Sequence, residues 1–352
     1  VAAIRARHAG CYVLGDETGE VQVPADLEGA DWEGAPPLIA PDLVAAIAYT
    51  SGSTGEPVPH ARTWSSLAGH IGGLSQRLGF AGARIVATVP PQHTYGLETT
   101  VLAALAGGAA SHGGRPLFPG DVQQALAALP APRLLVTTPV HLQALVQAWQ
   151  PLPALAGVIS ATAPLAHELA AEAERLLGAP VHEIYGSTES GAAATRRTAT
   201  ETLWQPLPGV ALRIDGDTTS LSSPHLPAPV RLTDRLEIEA DGRFRLVGRS
   251  GDLLKVAGKR MSLAELNQRL LAIPGVEDGV VFLPDGDEWS RAVLRPAALV
   301  VAPGLSEQQI IEALRASVDP AFLPRPLRKL ARLPRNEVGK LPRAVLLGLL
   351  KP

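Results

Sequence analysis

At 352 residues, 46% hydrophobic and 18% charged, the chain is long enough for two or three domains with ample core and has the composition of an ordinary globular protein. A formal net charge of −3 removes any electrostatic case for nucleic acid or an anionic membrane surface as a partner. The single cysteine, Cys11, excludes an internal disulfide and suits a reducing cytoplasm, and no apolar run reaches the length of a membrane span.

The first element is an apolar run over 43–48 that reads as a buried strand. It leads into Tyr49-Thr50-Ser51-Gly52-Ser53-Thr54-Gly55-Glu56-Pro57, where six of nine residues are Gly, Ser or Thr. Small residues let the backbone fold tightly, and hydroxyls with backbone N–H groups can wrap an anion. The common P-loop pattern Gly-x-x-x-x-Gly-Lys-Ser/Thr is absent, so the alternatives are a different phosphate loop or a plain Ser/Gly turn. From 84 onward strands (84–89, 134–138, 156–160, 181–184) alternate with helices (97–105, 121–129, 140–149, 165–177). This alternation predicts a mostly parallel sheet covered on both faces, with ligands beyond the carboxyl ends of its strands. The Ser/Gly loop and Tyr185 are both expected to follow strands and so to stand at that edge. Past Trp204 the sequence turns rich in Pro, Gly and Ser. Segments 236–240 and 243–247 then flank Asp241-Gly242, a hairpin signal. A compact α+β pattern closes the chain: helices over 262–271 and 306–317, strands near 276–283 and 298–301.

Six segments follow one another in a fixed order. They are the Ser/Gly loop, Pro90-Pro-Gln-His-Thr-Tyr-Gly-Leu97, Tyr185-Gly-Ser-Thr-Glu189, Thr233-Asp234, Gly248-Arg-Ser-Gly-Asp-Leu-Leu-Lys-Val-Ala-Gly-Lys-Arg260 and Leu333-Pro-Arg-Asn-Glu-Val-Gly-Lys340. In this order, from about 42 to 343, the chain resembles the acyl-adenylate-forming superfamily of acyl-CoA synthetases, luciferases and peptide-synthetase adenylation domains. The resemblance implies a large α/β adenylation domain over 1–248 with mostly parallel sheets flanked by helices. A small mobile α+β lid over 249–352 would turn about a hinge near Gly251. It also implies ATP, Mg²⁺ and a thiol acceptor, either CoA or the phosphopantetheine of an acyl carrier protein acting in trans. The reaction expected is activation of a carboxylic acid to acyl-AMP with release of pyrophosphate, followed by thioester formation, in the cytoplasm.

Residue by residue, the resemblance puts Thr50, Ser51, Gly52, Ser53, Thr54 and Gly55 around the phosphates. Thr162, Ala163, Pro164, Tyr185 and Gly186 would stand beside adenine, with Asp234 on the ribose hydroxyls and Arg249 assisting. Thr188 would reach the α-phosphate, and Glu189 offers a hard oxygen for Mg²⁺. Lys340 would bridge the carboxylate and the charge leaving on phosphate. His93, Ser160, Ala161 and Thr162 would line the acyl pocket, and Gly258 would swing in with the lid to open the path of the thiol. On the residues alone, Tyr185 is equally a strand-end core tyrosine, Glu189 a solvated carboxylate and His93 an unrelated loop histidine.

Four departures from the family pattern stand out, one being Gly251 where the family hinge residue is often Asp or Lys. Val58 and Pro59 follow Pro57 where many members carry lysine, which leaves His60 or Arg62 to supply the charge. Ala161 and Thr162 replace two glycines of a Ser-Gly-Gly-Ala-Pro strip, which narrows the pocket. The stretch before the phosphate loop is short, as expected of a minimal version or of a fragment that lacks its N-terminal part. Together with Ala257-Gly-Lys-Arg-Met-Ser-Leu-Ala-Glu-Leu266, Gly55-Glu-Pro-Val-Pro-His-Ala-Arg-Thr-Trp64 resembles a subgroup found with aryl-polyene and xanthomonadin-type pigment pathways. That subgroup implies an aryl acid such as a hydroxybenzoate as substrate. A fatty-acyl ligase and a non-catalytic adenylate-binding relative are the alternatives.

Overall fold

The computed structural model describes residues 38–51, 57–148, 150–216, 218–249, 253–256, 259–284, 295–335, 341 and 343–350. The elements below all lie in one compact unit, Pro41–Pro352.

Strands β1 (Val44–Ser51) and β2 (Pro57–Thr63) form an antiparallel ribbon that pairs Thr50 with Val58 and Ser51 with Pro57. The expectation of a buried first strand is corrected here: Leu43, Val44 and Ile47 are all exposed. An apolar run without alternation reads the same on a two-stranded ribbon as inside a covered sheet, so only pairing decides between them. Helix α1 (Trp64–Leu78) begins where the Thr63 hydroxyl accepts the Ser66 N–H, at 3.3 Å, and stops at Gly79 with φ +71°.

The main sheet has seven strands. In chain order they are β3 (Arg84–Ala87), β4 (Ala110–Ser111), β5 (Arg133–Thr137), β6 (Gly157–Ser160), β7 (Val181–Ser187), β8 (Gly191–Arg197) and β9 (Gln205–Pro206). In space they run β4-β3-β5-β6-β7-β8-β9, parallel through β7 and antiparallel thereafter. The connecting helices are α2 (Thr94–Gly96, a π-helical Leu97–Leu102 and Ala103–Leu105), α3 (Pro119–Ala127), α4 (Pro139–Gln147) and α5 (His167–Leu177). Side chains alternate between two cores. Ile85, Leu134, Val136 and Ile159 pack with Leu67, Ile71 and Leu74 of α1 and Leu102 of α2. Val86, Leu135 and Val158 pack instead with Val122 of α3, Leu142 and Leu145 of α4 and Ala170 of α5. Helices cover both faces, as near-continuous apolar strands require.

Because β4 and β5 flank β3 on opposite sides, the strand order reverses between β3 and β5, the kind of switch point beyond whose carboxyl ends open α/β sheets bind ligands. One expectation changes at this edge. Tyr185, Gly186 and Ser187 do not follow β7 but belong to it, since antiparallel β8 keeps their backbone paired.

A three-stranded sheet, β10 (Ala211–Asp215), β11 (Thr218–Ser222) and β12 (Val230–Leu232), precedes the predicted hairpin, β13 (Asp234–Ile238) with β14 (Phe244–Arg249). Beyond it come a second hairpin, β15 (Leu253–Val256) with β16 (Lys259–Ser262), and helix α6 (Leu263–Leu271), capped by Ser262. Strands β17 (Asp278–Phe282), β18 (Ala297–Val301) and β19 (Leu327–Lys329) form the last sheet, accompanied by α7 (Glu307–Arg315) and α8 (Arg343–Leu350). Five hydrophobic cores hold the described residues together. Three draw only on residues up to Leu246 and two only on residues from Leu254 onward.

Candidate functional site

The carboxyl edge of the sheet gathers most of the described candidates. Beyond β3, His93 is exposed and precedes α2, and its carbonyl accepts the Leu97 N–H at 2.7 Å. The helix is held at this edge by Tyr95, whose hydroxyl bonds to the carbonyls of Thr137 (3.0 Å) and Ile159 (2.9 Å) at the ends of β5 and β6. Burial pushes the Tyr95 phenol well above its ordinary range, so it stays a neutral donor.

After β6, Ser160 and Ala161 are buried, Thr162 and Ala163 half-buried and Pro164 exposed. The strip therefore offers Thr162, Ala163 and Pro164 to a ligand, while Ser160 lies inside the protein with its hydroxyl unpaired. Thr162 has φ +80°, the only positive φ outside glycine among the described residues. This is a conformation that glycine adopts freely and that costs an L-residue about 1–2 kcal/mol. Thr162→Gly is expected to raise stability by about 0.5–1 kcal/mol net of glycine's greater unfolded-state entropy. A denaturant titration that shows a loss instead would place more value on the threonine side chain than on its strain.

Glu183, buried in β7, secures this strip. Its carboxylate accepts the Leu165 N–H (2.9 Å), the Thr198 hydroxyl (2.9 Å) and the Arg196 guanidinium (2.8 and 2.7 Å). Arg196 in turn lies over the Trp204 ring, 4.4 Å from its centroid. Trp204 and Phe244 pack against Tyr185, with centroids 5.7 and 5.6 Å away. The Tyr185 hydroxyl donates to Asp234 Oδ2 at 2.8 Å. Asp234 stands directly across the β13–β14 hairpin from Arg249. One continuous chain of contacts thus joins the two residues that resemblance puts on adenine and on ribose.

Thr188 and Glu189 form the tight turn from β7 to β8. Gly186 keeps it narrow, because a Cβ there would lie 2.3 Å from the Gly191 carbonyl oxygen. The Ser187 and Ser190 hydroxyls cross-brace it: each accepts the other residue's N–H, at 3.1 and 3.2 Å. The Glu189 carboxylate, 40% exposed, faces His60 Nε2 of β2 at 3.8 Å. Of the two cations weighed for the missing lysine, His60 is the one at this turn. Arg62 is buried, bonds Ser66 Oγ at 3.4 Å and has its guanidinium pKa lowered by burial, against the pull of Glu98. A single accessible carboxylate fits Mg²⁺, which is commonly held by one or two carboxylates together with substrate phosphates. Among the described residues no three His, Cys, Asp or Glu side chains form a closed metal cage.

Gly52, Ser53, Thr54, Gly55, Gly251, Gly258 and Lys340 lie outside the described residues. Thr50 and Ser51 are the last two residues of β1, paired with Val58 and Pro57 of β2. Sequence reasoning missed Glu183, Arg196, Trp204, Phe244, His70 and Glu98. Only the unusual charge of Glu98 in an apolar helix could have signalled any of them.

Fold and site together describe an α/β enzyme of the AMP-forming acid–thiol ligase class. Residues 4–225 match the family of AMP-binding enzymes, and the chain belongs to that family. It is 30% identical over 302 residues to a 4-coumarate–CoA ligase of Rhodobacter capsulatus, an alignment that takes in 84% of this chain and 74% of the relative. With the mitochondrial malonate–CoA ligase of Mus musculus it shares 25% identity over 382 residues, covering 88% of this chain and 65% of that one. The crystal structure of the anthranilate CoA ligase AuaEII with anthranoyl-AMP superposes with a TM-score of 0.75 over 88% of this chain and 68% of that one. At 20% identity this is a likeness of fold. No helix among the described residues is long and apolar enough to cross a membrane.

Proposed function

We propose that this enzyme activates an aryl carboxylic acid, such as a hydroxybenzoate, with Mg²⁺ and ATP in the cytoplasm. A carboxylate oxygen attacks the α-phosphorus, the α–β anhydride bond breaks, and pyrophosphate leaves. A thiol of CoA, or of phosphopantetheine on an acyl carrier protein acting in trans, then attacks the acyl carbon and displaces AMP. The observation that carries the nucleotide reading is the Tyr185–Asp234 hydrogen bond, set one hairpin from the Thr188–Glu189 turn. Tyr185 presents its ring to adenine and Asp234 its carboxylate to the ribose, with Arg249 alongside. The Ser/Gly segment from Thr50 to Gly55 receives the phosphates beside Thr188, with the His60 imidazole near Glu189. Glu189 holds Mg²⁺, which supplies charge neutralisation on the phosphates when bound. Lys340 meets the charge that develops between carboxylate and α-phosphate.

The aryl preference, and kinship with the pigment-pathway ligases, rest on the Gly55–Trp64 segment and on the 4-coumarate and anthranilate named for two of the similar enzymes. His93 and Thr162 face the acid in this reading. The carboxylate-dependent ATP–pyrophosphate exchange rate across hydroxybenzoates, cinnamates, malonate and fatty acids tests it. Exchange confined to the aryl acids is expected; exchange with fatty acids alone would move the substrate to the acyl-chain class, and none at all, with ATP still bound, would leave a non-catalytic relative.

The separation of hydrophobic cores between Leu246 and Leu254 supports a two-domain reading, 1–248 and 249–352, with the lid turning at Gly251 and carrying Gly258 toward the thiol path. Glycine absorbs such rotation without steric penalty. Gly251→Pro is therefore expected to spare pyrophosphate exchange and lower thioester formation by about tenfold or more, the scale of hinge effects on a gated step. Equal loss of both steps in a thioester assay would remove the hinge from this position.

A further inference from the structure

A carboxylate is buried where the proposed chemistry makes no use of it. Glu98 lies in the π-helical turn of α2, and irregular turns of this kind often mark functional positions. Its side chain is 4% exposed and that of His70, on α1, 5% exposed, with His70 Nε2 and Glu98 Oε1 3.6 Å apart. Around them stand Leu67, Ile71, Leu102 and Ala192 of the apolar core. A carboxyl group in such surroundings is costly unless it is paired or hydrogen-bonded, and the buried Arg62 guanidinium lies within its electrostatic reach.

Its partner is the strand that leaves the Thr188–Glu189 turn. Glu98 Oε2 accepts the Ala192 N–H at 3.1 Å. The residue between, Gly191, has φ +70° and rests directly on the pair: a Cβ there would lie 2.5 Å from Glu98 Oε1 and 3.0 Å from His70 Nε2. Within the turn, Ser187 and Ser190 are cross-braced, and Gly191 and Ala192 pair with Ser187 and Gly186 of β7. Glu98 adds a further contact to this strand from α2.

From this geometry we infer that Glu98 is a positioning residue that fixes the Thr188–Glu189 turn for the metal-bound triphosphate. The inference rests on the proposed roles of those two residues. It makes Gly191 a specific requirement, since any side chain there would push the carboxylate away. It also separates two parts of nucleotide recognition. The turn governs the phosphates and their metal, whereas Tyr185 and Asp234 govern the nucleoside.

The test measures equilibrium binding of Mg·ATP and of AMP by calorimetry, beside the KM for Mg·ATP and the denaturation midpoint, on the full chain. Glu98→Ala and Gly191→Ala approach the same contact from opposite sides. Both are expected to weaken Mg·ATP about tenfold, the effect of losing one charge-assisted hydrogen bond, and to leave AMP affinity within about twofold. Glu98→Gln, which still offers an oxygen to the Ala192 N–H, is expected to restore Mg·ATP binding to within about threefold of the parent. Mg·ATP and AMP weakening together, or a lowered denaturation midpoint with both affinities unchanged, would overturn the positioning role and leave Glu98 a structural group. Glu189→Gln separates the two levels. If it weakens Mg·ATP while the Glu98 and Gly191 variants do not, positioning fails alone; if it leaves Mg·ATP unchanged, the metal role of Glu189 fails and takes the inference with it.

Discussion

Lys340→Ala is expected to lower carboxylate-dependent ATP–pyrophosphate exchange by about 10²-fold or more, the range found when one preorganised electrostatic group is removed from a reaction centre. Charge moves during adenylation from the carboxylate to the departing pyrophosphate. A compact ammonium placed between them stabilises the transition state more than either ground state. Lys340 ends the Leu333–Lys340 segment, and Leu333 itself is anchored in the core formed by Phe282, Leu299 and Leu346. The loss is expected in kcat rather than in the KM for Mg·ATP, because the other phosphate and nucleoside contacts remain. Steady-state exchange at saturating nucleotide measures this. A KM effect with kcat intact would make Lys340 a binding residue and leave the catalytic cation to be found elsewhere.

The second large effect is one of stability. Arg196→Met is expected to destabilise the fold by about 3 kcal/mol, since removing one partner of a buried pair strands the other's charge. The Glu183 side chain is 4% exposed and that of Arg196 15%, so solvent does little to compensate. Methionine fills the stem's volume but has no donor for Glu183 and loses the contact with Trp204. The double variant Glu183→Gln/Arg196→Met should recover a substantial part of the loss, because no charge is then left buried. Denaturant unfolding of the two single variants and the double variant closes the cycle, and additive losses would show that the two side chains act independently. The same variant should loosen Tyr185, whose ring leans on Trp204, and so weaken AMP as well.

Much of the α/β layer was legible in the chain because its cause is local. The run Arg84–Ala87 is apolar on both faces, so it must be covered twice, and alternation with helices then dictates a parallel sheet. The hairpin at Asp241-Gly242 was equally readable, because a tight turn brings its two flanking strands together locally. Helix α7 falls within the predicted 306–317, and the structure adds a capping box of Ser306 and Gln309 at its start. The first strand was misjudged because burial of an apolar run depends on what pairs beside it. Tyr185 was placed beyond its strand because antiparallel β8, which continues the pairing, leaves no mark in the sequence before it.

The candidate site divides along the same line. Which residue types stand in which order, from the Ser/Gly loop to Lys340, is a property of the sequence alone, and that order led to the AMP-binding enzyme family. Chemistry of this kind needs particular functional groups, and a chain states its functional groups directly. Which of them meet was decided by tertiary structure: Tyr185 with Asp234, 49 residues apart; Glu98 with Ala192, 94 apart; His60 rather than Arg62 at Glu189. Such contacts depend on the register of β13 and β14 and on the packing of α1 and α2 beneath β8, and a sequence has no local signal for either. Burial sorted the rest, turning Arg62 and Ser160 into interior groups although their neighbours on the chain, His60 and Thr162, still reach the edge.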